Sequence, residues 1–169
     1  MKKLVLALLL ILLQLCTACS ETTYHSNEEI GRAFQRHKST FENVAVTAVG
    51  ENSGYIHKPD AEGQETECGD SGCKLMEADG LHIHLQHEMS DTELRHIAEA
   101  ALTLMENVDI ESISFSQEAV RFHLKDESEY SWDPTIVYWR ADDADEGKIG
   151  YGEAVCRLAD HWYAALITR

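Results

Sequence analysis

The chain has 169 residues, 30 of them Asp or Glu and 14 Lys or Arg, for a formal charge of −16 with histidines neutral. So acidic a surface argues against nucleic acid and anionic lipid headgroups as electrostatic partners, since both would be repelled, and leaves a basic partner, a cation or plain solubility. The length suits one domain built around one core.

Lys2 and Lys3 precede an unbroken apolar run, Leu4 to Leu13, followed by Gln14-Leu15-Cys16-Thr17-Ala18-Cys19-Ser20. This is a charged n-region, a short h-region and small residues before a cysteine. It resembles a bacterial lipoprotein signal, which implies removal of residues 1–18 and lipidation, palmitate included, of Cys19. Cys16 stands where such signals usually carry Leu, and cleavage without lipidation is the alternative. Ten apolar residues cover only about half of a bilayer core at ~1.5 Å each, so a signal fits better than a membrane span. The resemblance also implies that Ser20, not Asp, after the cysteine favours the outer membrane of a Gram-negative envelope. Cleavage removes two lysines and no acid, so the mature charge becomes −18.

Export places the remaining cysteines in an oxidising compartment. Cys68 and Cys73 enclose Gly69-Asp70-Ser71-Gly72, a flexible loop able to close a small ring, and are read as a disulfide. Cys156 is expected as a buried free thiol, with a bridge to Cys68 or Cys73 left open.

Residues 19–26 read as a short tether, and Ser26 with Glu29 as a capping box. Ile30, Phe34, His37, Phe41, Val44, Ala45 and Ala48 recur at three- and four-residue spacing, giving an amphipathic helix over Asn27–Val49. Residues 52–80 are rich in Gly and acids and read as a long exposed loop, with a short strand at Ser53–His57. Leu81–Gln86 alternates as a half-buried strand. Ser90 and Glu93 form the strongest helix start, and Leu94, Ile97, Ala98, Ala101, Leu102 and Met105 mark one face over Asp91–Glu106.

The period then changes to two: Ile113 and Phe115, then Val120, Phe122 and Leu124, make a hairpin whose turn lacks the usual Gly or Asn. Asp126–Glu129 and Asp142–Gly147 are acidic loops around a strand at Thr135–Arg140. Near the end, Val155, Leu158, Ala159, Trp162, Ala165 and Leu166 fit a helix, while Cys156, Leu158, Trp162, Ala164 and Leu166 fit two strands. FQRHKSTFENV near the start, a central helix, a hairpin and the closing IGYGEAVCRLADHWYAALI together resemble a group of small, uncharacterised exported bacterial proteins and lipoproteins. That likeness implies a closing hairpin over Glu153–Thr168, its second strand opening at Trp162-Tyr163. It implies no activity.

Several residue sets bear on chemistry. His82 and His84 share one strand face, their Cα atoms about 6.6–7 Å apart. His123 lies on the polar face of a later strand beside Arg121. Were those strands neighbours, three imidazoles would suit Zn²⁺ or Cu²⁺, with His57 and His87 as further candidates. The opposing reading is a solvated histidine face. His87-Glu88 begins like the HExxH metalloprotease motif, but Asp91 replaces the second histidine. Asp142–Glu153 resembles an EF-hand loop, but position 3 is Ala144 and position 5 is Glu146. The Gly-Asp-Ser-Gly between Cys68 and Cys73 has no evident base to activate its serine. Trp132, Tyr138, Trp139, Tyr151, Trp162 and Tyr163 crowd the last quarter, as core or as a recognition surface.

The expectation is one α+β domain over 27–169, an antiparallel sheet of four or five strands packed against two amphipathic helices. The expected function is that of a membrane-tethered, non-enzymatic cell-envelope lipoprotein, anchored through lipid on Cys19. It would need no cofactor and would bind a basic protein partner, of immunity or envelope-assembly type, and not nucleic acid. A metal-binding lipoprotein using His82, His84 and His123 is the second class. A hydrolase is the third, without a visible nucleophile–base pair.

Overall fold

The structure is a computed structural model and describes residues 27–48, 53–59, 74–87, 89–125, 132–141, 149 and 155–168. Cys19, Cys68 and Cys73, the tether, the Ser26 cap and the acidic loops after Lys125 and Ala141 (Ile149 apart) lie outside the described residues.

Helix α1 (Asn27–Ala48) buries Ile30, Ala33, Phe34, Phe41, Val44, Ala45 and Ala48 on one stripe and kinks at His37 (φ −119°, ψ 19°). At its C-terminal end the Arg140 guanidinium donates to the Ala48 carbonyl at 3.3 Å, satisfying one of the oxygens that a helix end leaves unpaired. Helix α2 (Asp91–Asn107) starts at the Ser90 cap. The Glu93 amide donates to Ser90 Oγ at 3.3 Å, and the Ser90 amide donates back to the Glu93 carboxylate at 3.1 Å. The Ser90 hydroxyl also donates to that carboxylate at 2.6 Å, and this bond first, with the amide bond second, holds the Glu93 carboxyl below its ordinary pKa. The buried stripe is Leu94, Ile97, Ala98, Ala101, Leu104 and Met105, so Leu104 takes the core place expected of Leu102.

Ser90→Ala should therefore lower stability by about 1 kcal/mol at neutral pH in urea unfolding. Glu93 has a depressed folded pKa, so its contribution is complete above the ordinary glutamate range and fades as the pH falls through its folded value. The gap between wild type and variant should accordingly narrow in acid.

Among the described residues the strands are β1 (Gly54–His57), β2 (Lys74–Ala78), β3 (Leu81–Leu85), β4 (Ile110–Phe115), β5 (Ala119–Leu124), β6 (Trp132–Trp139), β7 (Val155–Ala159) and β8 (Trp162–Thr168). They form one eight-stranded sheet in the order β2-β3-β1-β4-β5-β6-β8-β7. Every pairing is antiparallel. Strands β3 and β4, linked through α2, both pair with β1, which lies between them. Among the described residues the protein is thus α+β with two helices, as expected, but the sheet has eight strands, not four or five.

The extra strands have identifiable origins. The segment read as a loop with one short strand at Ser53–His57 contributes β2 as well as that strand, β1. The β2–β3 turn is Asp79-Gly80, with φ of 51° and 76°. Two positive φ values are what a two-residue type I′ hairpin requires, and Asp-Gly is one of its preferred pairs. The closing segment is a hairpin, not a helix, turning at Asp160-His161 with His161 at φ 64°. The β4–β5 turn does without Gly or Asn because Ser116 Oγ accepts the Glu118 and Ala119 amides at 3.3 Å each.

One apolar row crosses all eight strands in register: Met76, Ile83, Ile56, Ile113, Phe122, Ile136, Ala164 and Cys156. Its middle members join Phe34, Phe41, Leu94, Ile97 and Leu104 of the helices in a single core. Cys156 ends the row on the edge strand β7 and is exposed and free, which corrects the expectation of a buried thiol. On the other face, Ala119, Val137, Trp139, Tyr163 and Ala165 pack with Ile149 in a smaller cluster.

Candidate functional site: a histidine panel on the sheet face away from the helices

Strand alternation sends the neighbours of the core residues to the opposite face. There two rows run side by side. One is Glu77, His82, His57, Ser112, His123 and Thr135; the other is Leu75, His84, Tyr55, Ser114 and Arg121. The middle of this face is therefore lined with imidazoles and hydroxyls where the helix-side face carries isoleucine and phenylalanine.

Three histidines converge at the β1–β3 boundary. His57 lies directly opposite His82 in register. Its Nε2 stands 3.2 Å from Nε2 of His84. The His57 and His84 rings are nearly coplanar and meet edge to edge through these nitrogens, centroids 5.4 Å apart and planes 10° apart, while His57 and His82 are nearly perpendicular at 5.4 Å. Tyr55 flanks His57, with ring centroids 5.2 Å apart. Both His57 and His84 are only 6% exposed.

The proton positions follow from the partners. His57 Nδ1 is 2.8 Å from the Lys58 carbonyl, which can only accept, so Nδ1 carries the hydrogen and Nε2 presents a lone pair. His84 Nε2–H then donates to His57 Nε2. Burial pushes the His84 pKa down, and the neighbouring His57 and His82 push it further the same way, which favours the neutral His84 imidazole. His82 is less constrained: its Nε2 lies 3.7 Å from the carboxylate of exposed Glu77.

The sequence placed His82 and His84 on one face, and they are. His123 is not with them. Strands β1 and β4 stand between β3 and β5, which puts His123 roughly 14 Å away, three strand spacings. Its place beside His82 and His84 is taken by His57, a residue whose strand was foreseen but whose neighbours were not. His87 lies just beyond β3 and is exposed. Among the described residues, no group of three or more His, Cys, Asp or Glu side chains is already disposed as a metal centre.

His123 has a different neighbour. Ser114 Oγ and His123 Nε2 are 3.0 Å apart across the β4–β5 boundary. That is nucleophile–base distance, and sequence reasoning missed it because it is a diagonal contact between strands. Acyl transfer also needs N–H groups aimed at a developing oxyanion. Strand β4 is paired along both edges, to β1 and β5, so its amides are engaged in the ladder around Ser114. The pair acts as a cross-strand clasp. Comparison with family models, curated proteins and solved structures finds no match to this chain.

Proposed function

We propose that the protein is a cell-envelope lipoprotein, tethered through lipid on Cys19, whose acidic domain works by binding a basic protein partner and not by catalysis. The observation that carries this reading is the stretch Lys2-Lys3, Leu4–Leu13 and Thr17-Ala18-Cys19-Ser20. The mature charge of −18 supports it, because such a field attracts cationic surfaces and repels nucleic acid. Immunity to a toxin or assistance in envelope assembly are the roles that such a tethered acidic domain suits. In a Gram-negative envelope, Ser20 after the lipidated cysteine favours placement at the outer membrane.

The test is lipid incorporation. Labelled palmitate should enter the wild-type chain and not Cys19→Ser, which should leave the membrane fraction. Retention of Cys19→Ser in the membrane would overturn the tether. For the partner, a basic envelope protein recovered at low salt should be lost on charge reversal at Asp142, Asp143, Asp145 and Glu146. Recovery undiminished by that reversal would overturn the electrostatic recognition.

A further inference from the structure

We propose that His57, His82 and His84 form a binding site for one borderline transition-metal ion, Zn²⁺ or Cu²⁺, on the sheet face away from the helices. This goes beyond the tethered-binder reading and does not depend on it.

Two imidazole nitrogens bound to one tetrahedral Zn²⁺ at about 2.0–2.1 Å stand about 3.3 Å from each other. The His57 and His84 Nε2 atoms are already 3.2 Å apart. His57 has its Nδ1–H fixed on a backbone carbonyl, as metal-ligating histidines usually do, which leaves the Nε2 lone pair facing His84 Nε2. To take the ion between them the two rings tilt so that their facing lone pairs converge, and His84 exchanges tautomers, its proton moving from Nε2 to Nδ1.

His82 supplies the third nitrogen. It is two residues from His84 on the same strand face and directly opposite His57. Two ligands from alternate residues of one strand and a third from its antiparallel neighbour is a natural way for a rigid sheet to surround an ion. In the structure His82 turns toward Glu77 instead, but that contact is 3.7 Å long and the Glu77 side chain is 76% exposed. A loose surface ion pair contributes little, so turning the ring toward Nε2 of its neighbours costs little. Water completes the shell. Imidazole nitrogen donors select Zn²⁺ and Cu²⁺ over Mg²⁺ and Ca²⁺, which take oxygen.

The experiment uses the full chain in detergent, without a histidine tag, titrated with Zn²⁺ or Cu²⁺ against a chromophoric chelator, with Mg²⁺ as control. One equivalent should bind and raise the melting temperature, and Cu²⁺ should show nitrogen hyperfine splitting in its electron paramagnetic resonance spectrum. His84→Gln and His82→Gln should each weaken binding by more than about tenfold. His82 is partly exposed, so its variant tests the site even where loss of buried His84 disturbs folding. His123→Gln should change nothing. Absence of binding to the wild type, affinity unchanged in His82→Gln, or loss of binding in His123→Gln would each overturn the proposal.

Discussion

Replacing Phe41 by alanine is expected to cost about 3–5 kcal/mol, the range for removing a fully buried aromatic side chain from a core. Phe41 is 0% exposed and sits at the centre of an aromatic cluster joining α1 to the sheet. Its ring lies 4.9 Å from Phe122 of β5 in an edge-to-face arrangement, 6.0 Å from Trp162 of β8 and 5.7 Å from Phe34, about two turns earlier on the same face of α1. Deletion removes the transfer free energy of the ring and leaves a hole bounded by two strands and a helix, none of which can collapse into it freely. Such pairs also contribute roughly 0.5–1.5 kcal/mol beyond area burial. Against a typical total of about 5–15 kcal/mol for a domain, the loss is a large fraction. Urea unfolding should show a lower midpoint with an unchanged slope. Phe41→Leu, which refills most of the volume, should recover more than half of the loss. A cost below about 1 kcal/mol would mean that the helix does not rest on the sheet in this way.

What could be read from sequence was whatever is local. Alternation at Leu81, Ile83 and Leu85 correctly sent His82 and His84 to the opposite face. The Ser90–Glu93 box located the start of α2 to the residue. The stripe Ile30–Phe34–Phe41–Val44 identified the sheet-facing side of α1, although His37, counted in the stripe, is where the helix kinks. Strand β2 was also announced locally, by Asp79-Gly80 between alternating segments, but the glycines and acids around it made the whole stretch read as loop.

The order of strands was not legible, because it is a long-range property that no periodicity encodes. β1 enters between β3 and β4, and that insertion decides that His57, not His123, meets His84. Exposure of Cys156 has the same origin: the apolar alternation places it on the helix side, but only the sheet order makes β7 an edge. The Ser114–His123 contact depends on the register of β4 against β5, where Ser112 and not Ser114 is the direct partner of His123.

Gly54→Ala should be the most damaging conservative change in the sheet, with a loss of about 3 kcal/mol or more. Gly54 opens β1, opposite Leu85 of β3 and Phe115 of β4. A Cβ there would fall on the His84 carbonyl oxygen and lie 2.5 Å from Cζ and 2.8 Å from Cε2 of Phe115. Neither obstacle can move cheaply. The carbonyl belongs to the β1–β3 strand pair, and the Phe115 ring is 4% exposed inside the core. Overpacking a tight site typically costs about 1–3 kcal/mol, and a clash with backbone on one side and a buried ring on the other belongs at or above the top of that range. Gly80→Ala makes the comparison. Gly80 has φ +76° but open space around it, so alanine there meets only backbone strain, roughly 1 kcal/mol. The two glycines thus separate steric approach from conformational freedom. Because β1 is a central strand, Gly54→Ala should lower amide exchange protection in β3 and β4 together, whereas Gly80→Ala should affect only the β2–β3 hairpin. It should also loosen the His57–His84 contact, since the strand that carries His57 is held against the His84 carbonyl at this glycine. Equal midpoints for the two variants in urea would show that β1 does not approach β3 so closely, and would remove the structural basis for pairing those two imidazoles.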